Sequence, residues 1–249
     1  MVETCIGIVG GLFIGSTGAG LGLLVTPLLI LAGYSPSVAV GTGLAVSVVS
    51  KLVGALVHRE LGHWPGRDVW ILLAGGVVGV AVALGIVEAA LIPHHIDFNV
   101  WLKRALAVML MLAAVALLKI DRRRGARLAA LGQTRALLLP IGAGVGTLQA
   151  LTSAGSGSVL VPLLASTTDW TVAQMAAVSN LFGCVVGGLS VGMYFKLGNF
   201  DMQLFLKVLL GLLPGIVAGG LLSRWISRGW FIRGVAAVTT YVGLRLLLG

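Results

Sequence analysis

The sequence predicts an all-α, polytopic helical membrane protein made of two homologous halves. Of its 249 residues, 58% are hydrophobic and only 10% are charged. Apolar runs of about 20 residues, enough to cross a hydrocarbon core of about 30 Å, recur from end to end. The runs are continuous and do not alternate, which argues against a β-barrel. The chain also says nearly the same thing twice. GSTGAGLGLLVTPLL runs from Gly15 to Leu29, and ALTSAGSGSVLVPLL runs from Ala150 to Leu164. Superposed at a shift of 135, Ala19, Gly20, Gly22, Pro27, Leu28 and Leu29 meet Ala154, Gly155, Gly157, Pro162, Leu163 and Leu164. Each copy is a glycine-rich break inside an apolar run. Paired breaks at matching places in two halves point to a transport site.

The elements follow in order. Met1-Val2-Glu3 carries no positive n-region and no small-residue cleavage site follows, so the first apolar run reads as mature protein. That run, Cys5 to Gly33, is long for one straight span and short for two. Its GSTGAGLG centre is poor helix material. Two half-helices of about a dozen residues each, meeting near mid-membrane, fit it better. Spans follow at Pro36 to Val57, Val69 to Ile92 and Phe98 to Leu118. A basic linker comes next. A second broken run, Ala136 to Ala165, precedes spans near Thr171 to Phe195, Met202 to Trp225 and Trp230 to Leu248. The loops His58 to Asp68 and Tyr194 to Asp201 also correspond, with Gly62 meeting Gly198. The chain is therefore one transmembrane domain, with residues 1–118 as first repeat, 119–135 as linker and 136–249 as second repeat.

The linker holds Lys119, Arg122, Arg123, Arg124, Arg127 and Arg135 against the single acid Asp121. A basic loop between apolar spans is a cytoplasmic anchor by the positive-inside rule. The net charge of +9 is thus a matter of topology and not of nucleic-acid binding. If each broken run re-enters, each half has three full spans and the halves are inverted. If each crosses, there are eight spans and parallel halves. Both arrangements place the same number of basic residues on the linker side. Inversion is preferred, because interrupted segments in paired positions accompany inverted repeats.

Glycine, at 37 residues, is about twice the usual share of ~7%. Gly11 and Gly15, Gly75 and Gly79, Gly188 and Gly192, and Gly211 and Gly215 stand at the spacing that lets helices approach closely in lipid. Cys5 and Cys184 are read as buried small apolar residues. Enzymatic motifs are missing, His58, His63, His94 and His95 lack convincing metal geometry, and no cofactor or metal is expected.

The candidate site lies at the breaks. A half-helix start offers free N–H groups and a positive dipole end to an anion. Gly18, Ala19, Gly20 and Gly22 leave the first break almost bare of side chains. Ser153, Gly155, Ser156, Gly157 and Ser158 do the same in the second, with hydroxyls added; Thr17, Thr26 and Thr152 are close by. The bland alternative is close helix packing. Behind the breaks stand Gly41-Thr42-Gly43, with Ser47 and Ser50, and Ser179-Asn180. The Asn180 amide suits either an anion or an interhelical hydrogen bond. Lys51 is a charged side chain within a span; a site role and a stem that snorkels to the interface both remain open. Glu88, near a span end, reads as interfacial.

GSTGAGLGLLVTPLL followed by AVGTGL, repeated as TSAGSGSVLVPLL and ending in MYFKLGNFD, resembles the TauE/SafE family of sulfite exporters and related permeases. The resemblance spans both halves. It departs at Ala19 and Leu21 in the first turn, and at Val178-Ser179-Asn180 where the first half has Gly41-Thr42-Gly43. The resemblance implies a multi-pass protein of the bacterial inner membrane, in contact with lipid, that moves a small sulfur-containing anion. The expected function is a secondary transporter exporting a sulfur oxyanion, sulfite first, and not an enzyme. Import of a sulfonate or thiosulfate is the alternative within that class, and a membrane scaffold whose glycines only pack helices is the alternative outside it.

Overall fold

The computed structural model describes residues 1–17, 24–60, 66–91, 97–119, 135–222, 237 and 240–247. Among these the structure is helical throughout. The elements are α1 (Val2–Thr17), α2 (Val25–Leu31), α3 (Pro36–Glu60), α4 (Asp68–Gly85), α5 (Phe98–Lys119), α6 (Leu138–Thr152), α7 (Val161–Thr167), α8 (Val172–Lys196), α9 (Met202–Leu222) and α10 (240–247). A π-helical turn, Ile86–Leu91, prolongs α4, and another, Ser156–Leu160, leads into α7. Among the described residues, four stretches are long and apolar enough to cross a membrane: Pro36–Leu56, Asp68–Ala89, Val172–Lys196 and Met202–Leu221. The protein is a multi-pass helical membrane protein.

The second run is broken where expected; of the first, the described residues give the two flanking helices. The first run divides into 16 residues in α1 and seven in α2, not into two pieces of about a dozen. Its turn, with Gly18, Ala19, Gly20 and Gly22, lies outside the described residues, as do residues 120–134 of the linker, His63, and most of the last expected span. The second run divides into α6, the Ser156–Leu160 turn and α7.

Local chemistry sets the ends. The Thr171 hydroxyl accepts from the Gln174 N–H, while the Gln174 side chain accepts from the Thr171 N–H, a reciprocal cap that starts α8. Gly198, at φ 69°, ends it: Gly198 N–H bonds back to Phe195 O and Asn199 N–H to Tyr194 O. Between α2 and α3, Tyr34 N–H donates to Leu29 O, and the Tyr34 hydroxyl donates to Glu3 at 2.8 Å, tying the turn to α1. That carboxylate, with some burial, raises the Tyr34 pKa.

The halves interlock. Gly7, Gly11 and Gly15 of α1 lie in order against Val208, Leu212 and Ile216 of α9, so these two helices are parallel. Gly75 and Gly79 of α4 lie against Leu139 and Ala143 of α6, again parallel. Between them α3 crosses α8 in the opposite sense: Gly54 meets Asn180, Lys51 meets Gly183, Val48 meets Gly187, and Gly41 meets Tyr194. Three of the four glycine pairs named from the sequence are therefore helix contacts. Gly188 and Gly192 are not, since no described residue approaches their open faces. The cysteine expectation also fails: Cys5 is exposed and Cys184 only partly covered, both as free thiols. In a span, an exposed side chain faces lipid at no hydrophobic cost, so exposure there does not disfavour a thiol. Glu88 is exposed on the π turn at the end of α4.

At one end of the bundle, Ser37 N–H donates to Asn99 and the Ser37 hydroxyl to Asn199, joining the starts of α3 and α5 to the α8–α9 loop. At the other, Arg135 pairs with Asp68 at 3.1 Å; its exposure makes it worth little.

Close approach makes the glycine faces sensitive. Gly79→Leu would push a side chain into Ala143 O and the Thr147 backbone, where the Thr147 hydroxyl already bonds to Gly79 O at 3.0 Å. It is expected to cost about 1–3 kcal/mol through overpacking. Gly188→Leu, on an open face, is expected to be neutral. Thermal unfolding of both variants in detergent measures the difference.

Candidate functional site: the second break and the helices around it

The second break begins where α6 ends. Ser153 adopts the left-handed conformation, φ 60°, that usually calls for glycine, and its N–H still bonds to Gln149 O. Thr152 steadies the turn: its hydroxyl donates to Leu148 O at 2.6 Å and lies 3.0 Å from Ala154 O, and Ala154 N–H reaches it at 3.4 Å. The next helix starts at Ser156. Its first intrahelical bonds run from Val159 and Leu160 N–H to Gly155 O. The N–H groups of Gly155, Ser156, Gly157 and Ser158 are therefore not used by the helix itself, and the positive end of its dipole lies with them.

Buried hydroxyls hold this turn from two sides. The Ser153 and Thr26 hydroxyls share a hydrogen bond, joining the second break to the start of α2. The Ser179 hydroxyl donates to Ser156 O at 2.6 Å, joining it to α8. Thr26, Thr152, Ser153, Ser156 and Ser179 are all buried. Thr42, beside Gly43 where Thr26 packs, is fully buried, and its hydroxyl and that of Ser158 have no partner among the described residues. A buried hydroxyl without a partner costs free energy, which a ligand oxygen would recover.

Lys51 is buried within the helix bundle. α3 continues to Glu60, and the Lys51 side chain is 7% exposed, its stem laid across Gly183. A side-chain methyl at Gly183 would overlap the Lys51 Cδ. The ion pairs of the described residues are Met1 with Glu3 and Arg135 with Asp68, so no described carboxylate neutralises Lys51. Asn180 lies with its amide against Gly54, a contact that puts it between α3 and α8.

The site expected from the sequence is thus partly assembled. Ser153, Gly155, Ser156, Gly157, Ser158, Thr152 and Ser179 form one turn and its support. Lys51 and Asn180 line the adjoining α3–α8 contact, and Thr42 is buried on α3. Gly18, Ala19, Gly20 and Gly22 lie outside the described residues, and so does the Thr17 side chain. The sequence reading missed Gln149. It is 2% exposed, one turn before Ser153, with Nε2 3.4 Å from Gly183 O. The signal was a lone amide in an apolar run, which is expensive in lipid unless it has a task.

The Thr26–Ser153 bond predicts a measurable coupling of the halves. Thr26→Val keeps the shape and removes the hydroxyl, and is expected to cost about 1 kcal/mol. Thermal unfolding of Thr26→Val, Ser153→Ala and the double variant should show non-additive losses.

Comparison with known proteins agrees with this architecture. The family described as Sulfite exporter TauE/SafE matches residues 4–246. The chain is 30% identical to the Probable membrane transporter protein YjnA of Bacillus subtilis (strain 168), over 97% of each sequence. No solved structure matches.

Proposed function

Because the chain belongs to the sulfite exporter TauE/SafE family of membrane transporters, we propose that it exports a small sulfur oxyanion, sulfite first, across the bacterial inner membrane. The observation that carries this reading is the second break. Four N–H groups at Gly155–Ser158 open a helix amid buried hydroxyls, with an unneutralised lysine on the adjoining helix pair. Such a place offers donors and positive potential to a small anion. In this reading Gly18, Ala19, Gly20, Gly22 and Thr17 supply the matching half of the site. Thr42, Thr152, Ser153, Ser156, Ser158, Ser179 and Asn180 supply polar contacts, and Lys51 supplies the charge.

The site belongs to a pair of inverted repeats, residues 1–118 and 136–249 about the linker 119–135, which lies on the cytoplasmic side. The helix directions support this. α3 and α8 occupy equivalent places in the two halves and run antiparallel, as a two-fold axis in the membrane plane requires. The same axis exchanges the α1–α9 pair with the α6–α4 pair. α9 opposes α8 across a short loop, so α1 runs with α3, and α2 between them turns back. That is the course of a re-entrant segment.

Energetics favour export. A membrane potential negative inside is worth about 2.3 kcal/mol per charge per 100 mV, so an anion leaves downhill without a coupling ion. Electrogenic uniport asks least of this chain, because the described spans carry no chain of carboxylates for a proton relay.

Proteoliposome flux with sulfite, sulfate, thiosulfate and a sulfonate, with and without an imposed potential, tests the function. Sulfite flux that follows the potential is expected; no flux of any of them rejects the reading. Lys51→Met should weaken binding about tenfold or more, since it removes the charge opposite the anion. A wild-type dependence of flux on concentration would retire Lys51 from the site.

Inversion predicts that positions 63 and 199 lie on opposite faces. In a background lacking Cys5 and Cys184, a single cysteine introduced at each position is treated with an impermeant thiol reagent on intact cells. Labelling at 199 and protection at 63 are expected. Equal accessibility would require parallel halves.

A further inference from the structure

Gln149 is the buried polar group that the proposed site does not yet use. Its side chain leaves α6 and reaches α8 in a gap made by two glycines. Nε2 lies 3.4 Å from Gly183 O and faces Gly187. A carbonyl oxygen only accepts, so the amide must turn its NH2 group toward Gly183. Oε1 therefore points elsewhere, and it is buried with no donor among the described residues. Lys51 comes to the same glycine from α3. Its titratable neighbour is Cys184, and no described carboxylate accompanies it. Two needs thus lie along the Gly183–Gly187 stretch of α8: one positive charge without a described counter-ion, and one neutral acceptor without a described donor.

A single ligand type meets both. A monoanion balances one ammonium, whereas a dianion would leave a buried charge uncompensated. An acidic hydrogen on that monoanion satisfies Oε1, whereas a fully ionised oxyanion turns an oxygen toward it and is repelled. We propose that Gln149 and Lys51 select the singly protonated form of the transported oxyanion, hydrogensulfite, over fully ionised sulfite or sulfate. Gln149 accepts the anion's hydrogen and Lys51 balances its charge. The inference rests on the sulfur-oxyanion reading above and adds the protonation state and the residue that reads it. A site built to hydrogen-bond a ligand hydrogen rejects analogues without it, because its own polar group is then left unpaired.

The test is binding to purified full-length protein at one mildly acidic pH, where hydrogensulfite predominates. The probes are sulfite, methanesulfonate (a monoanion without an acidic hydrogen) and sulfate (a dianion). Wild type should bind sulfite about tenfold or more tightly than methanesulfonate, and sulfate more weakly still. Gln149→Leu and the slimmer Gln149→Met should lower sulfite affinity to the methanesulfonate level and leave methanesulfonate binding unchanged. A purely structural glutamine would weaken both anions together, and that result overturns the assignment. Wild-type protein binding methanesulfonate as tightly as sulfite overturns it without any variant. Failure of wild type to bind any of the three overturns the transport reading as well, which separates the two failures.

Discussion

A peptide group that leaves a helix inside lipid has no water to bond, so the protein must supply every partner. That requirement organises this chain. Where α6 stops, Thr152 serves the turn from within, Ser179 bonds Ser156 O from α8, and Ser153 is met by Thr26 from the other half. The break survives only because α2, α3 and α8 enclose it. The long helices are therefore walls around an irregular turn, and the groups at that turn which the walls leave unserved are the ones open to an anion.

Enclosure demands close packing, and glycine provides it. Against lipid there is no hydrophobic gain from joining two apolar helices, so contact must come from backbones fitting closely. α1 on α9 and α4 on α6 both achieve this through glycine rows. The α3–α8 contact uses glycine differently. Gly54 and Gly183 do not bring two backbones together; they leave space for Asn180 and for the Lys51 stem. Small residues thus close the outer helix pairs and open the inner one.

Much of this could be read from residues alone, and the reasons differ from part to part. The positions of the four spans found among the described residues followed from run length, because the hydrocarbon thickness fixes it. The second break followed from a Gly and Ser cluster that no apolar helix tolerates without cause. The unequal lengths of α1 and α2 did not follow, since helix propensity does not say where a turn will find its partners. Gly188 and Gly192 have the spacing of a packing motif and pack against no described residue; spacing specifies a face and not a neighbour. Lys51 read as equally able to snorkel, because its depth depends on how far α3 continues and on what α8 leaves vacant. Gln149 carried no periodic signal, and its meaning lies wholly in which helix it meets.

The pairing of α1 with α9 also governs how the protein is made. Gly7, Gly11 and Gly15 are synthesised about 200 residues ahead of Val208, Leu212 and Ile216, against which they rest. At roughly 5–20 residues per second, the first helix waits about 10–40 s for its partner. During that interval its glycine face meets lipid or a chaperone. The first half cannot mature at the ribosome in advance of the second, and a chain truncated before α9 would present quality-control proteases with an unclosed glycine seam.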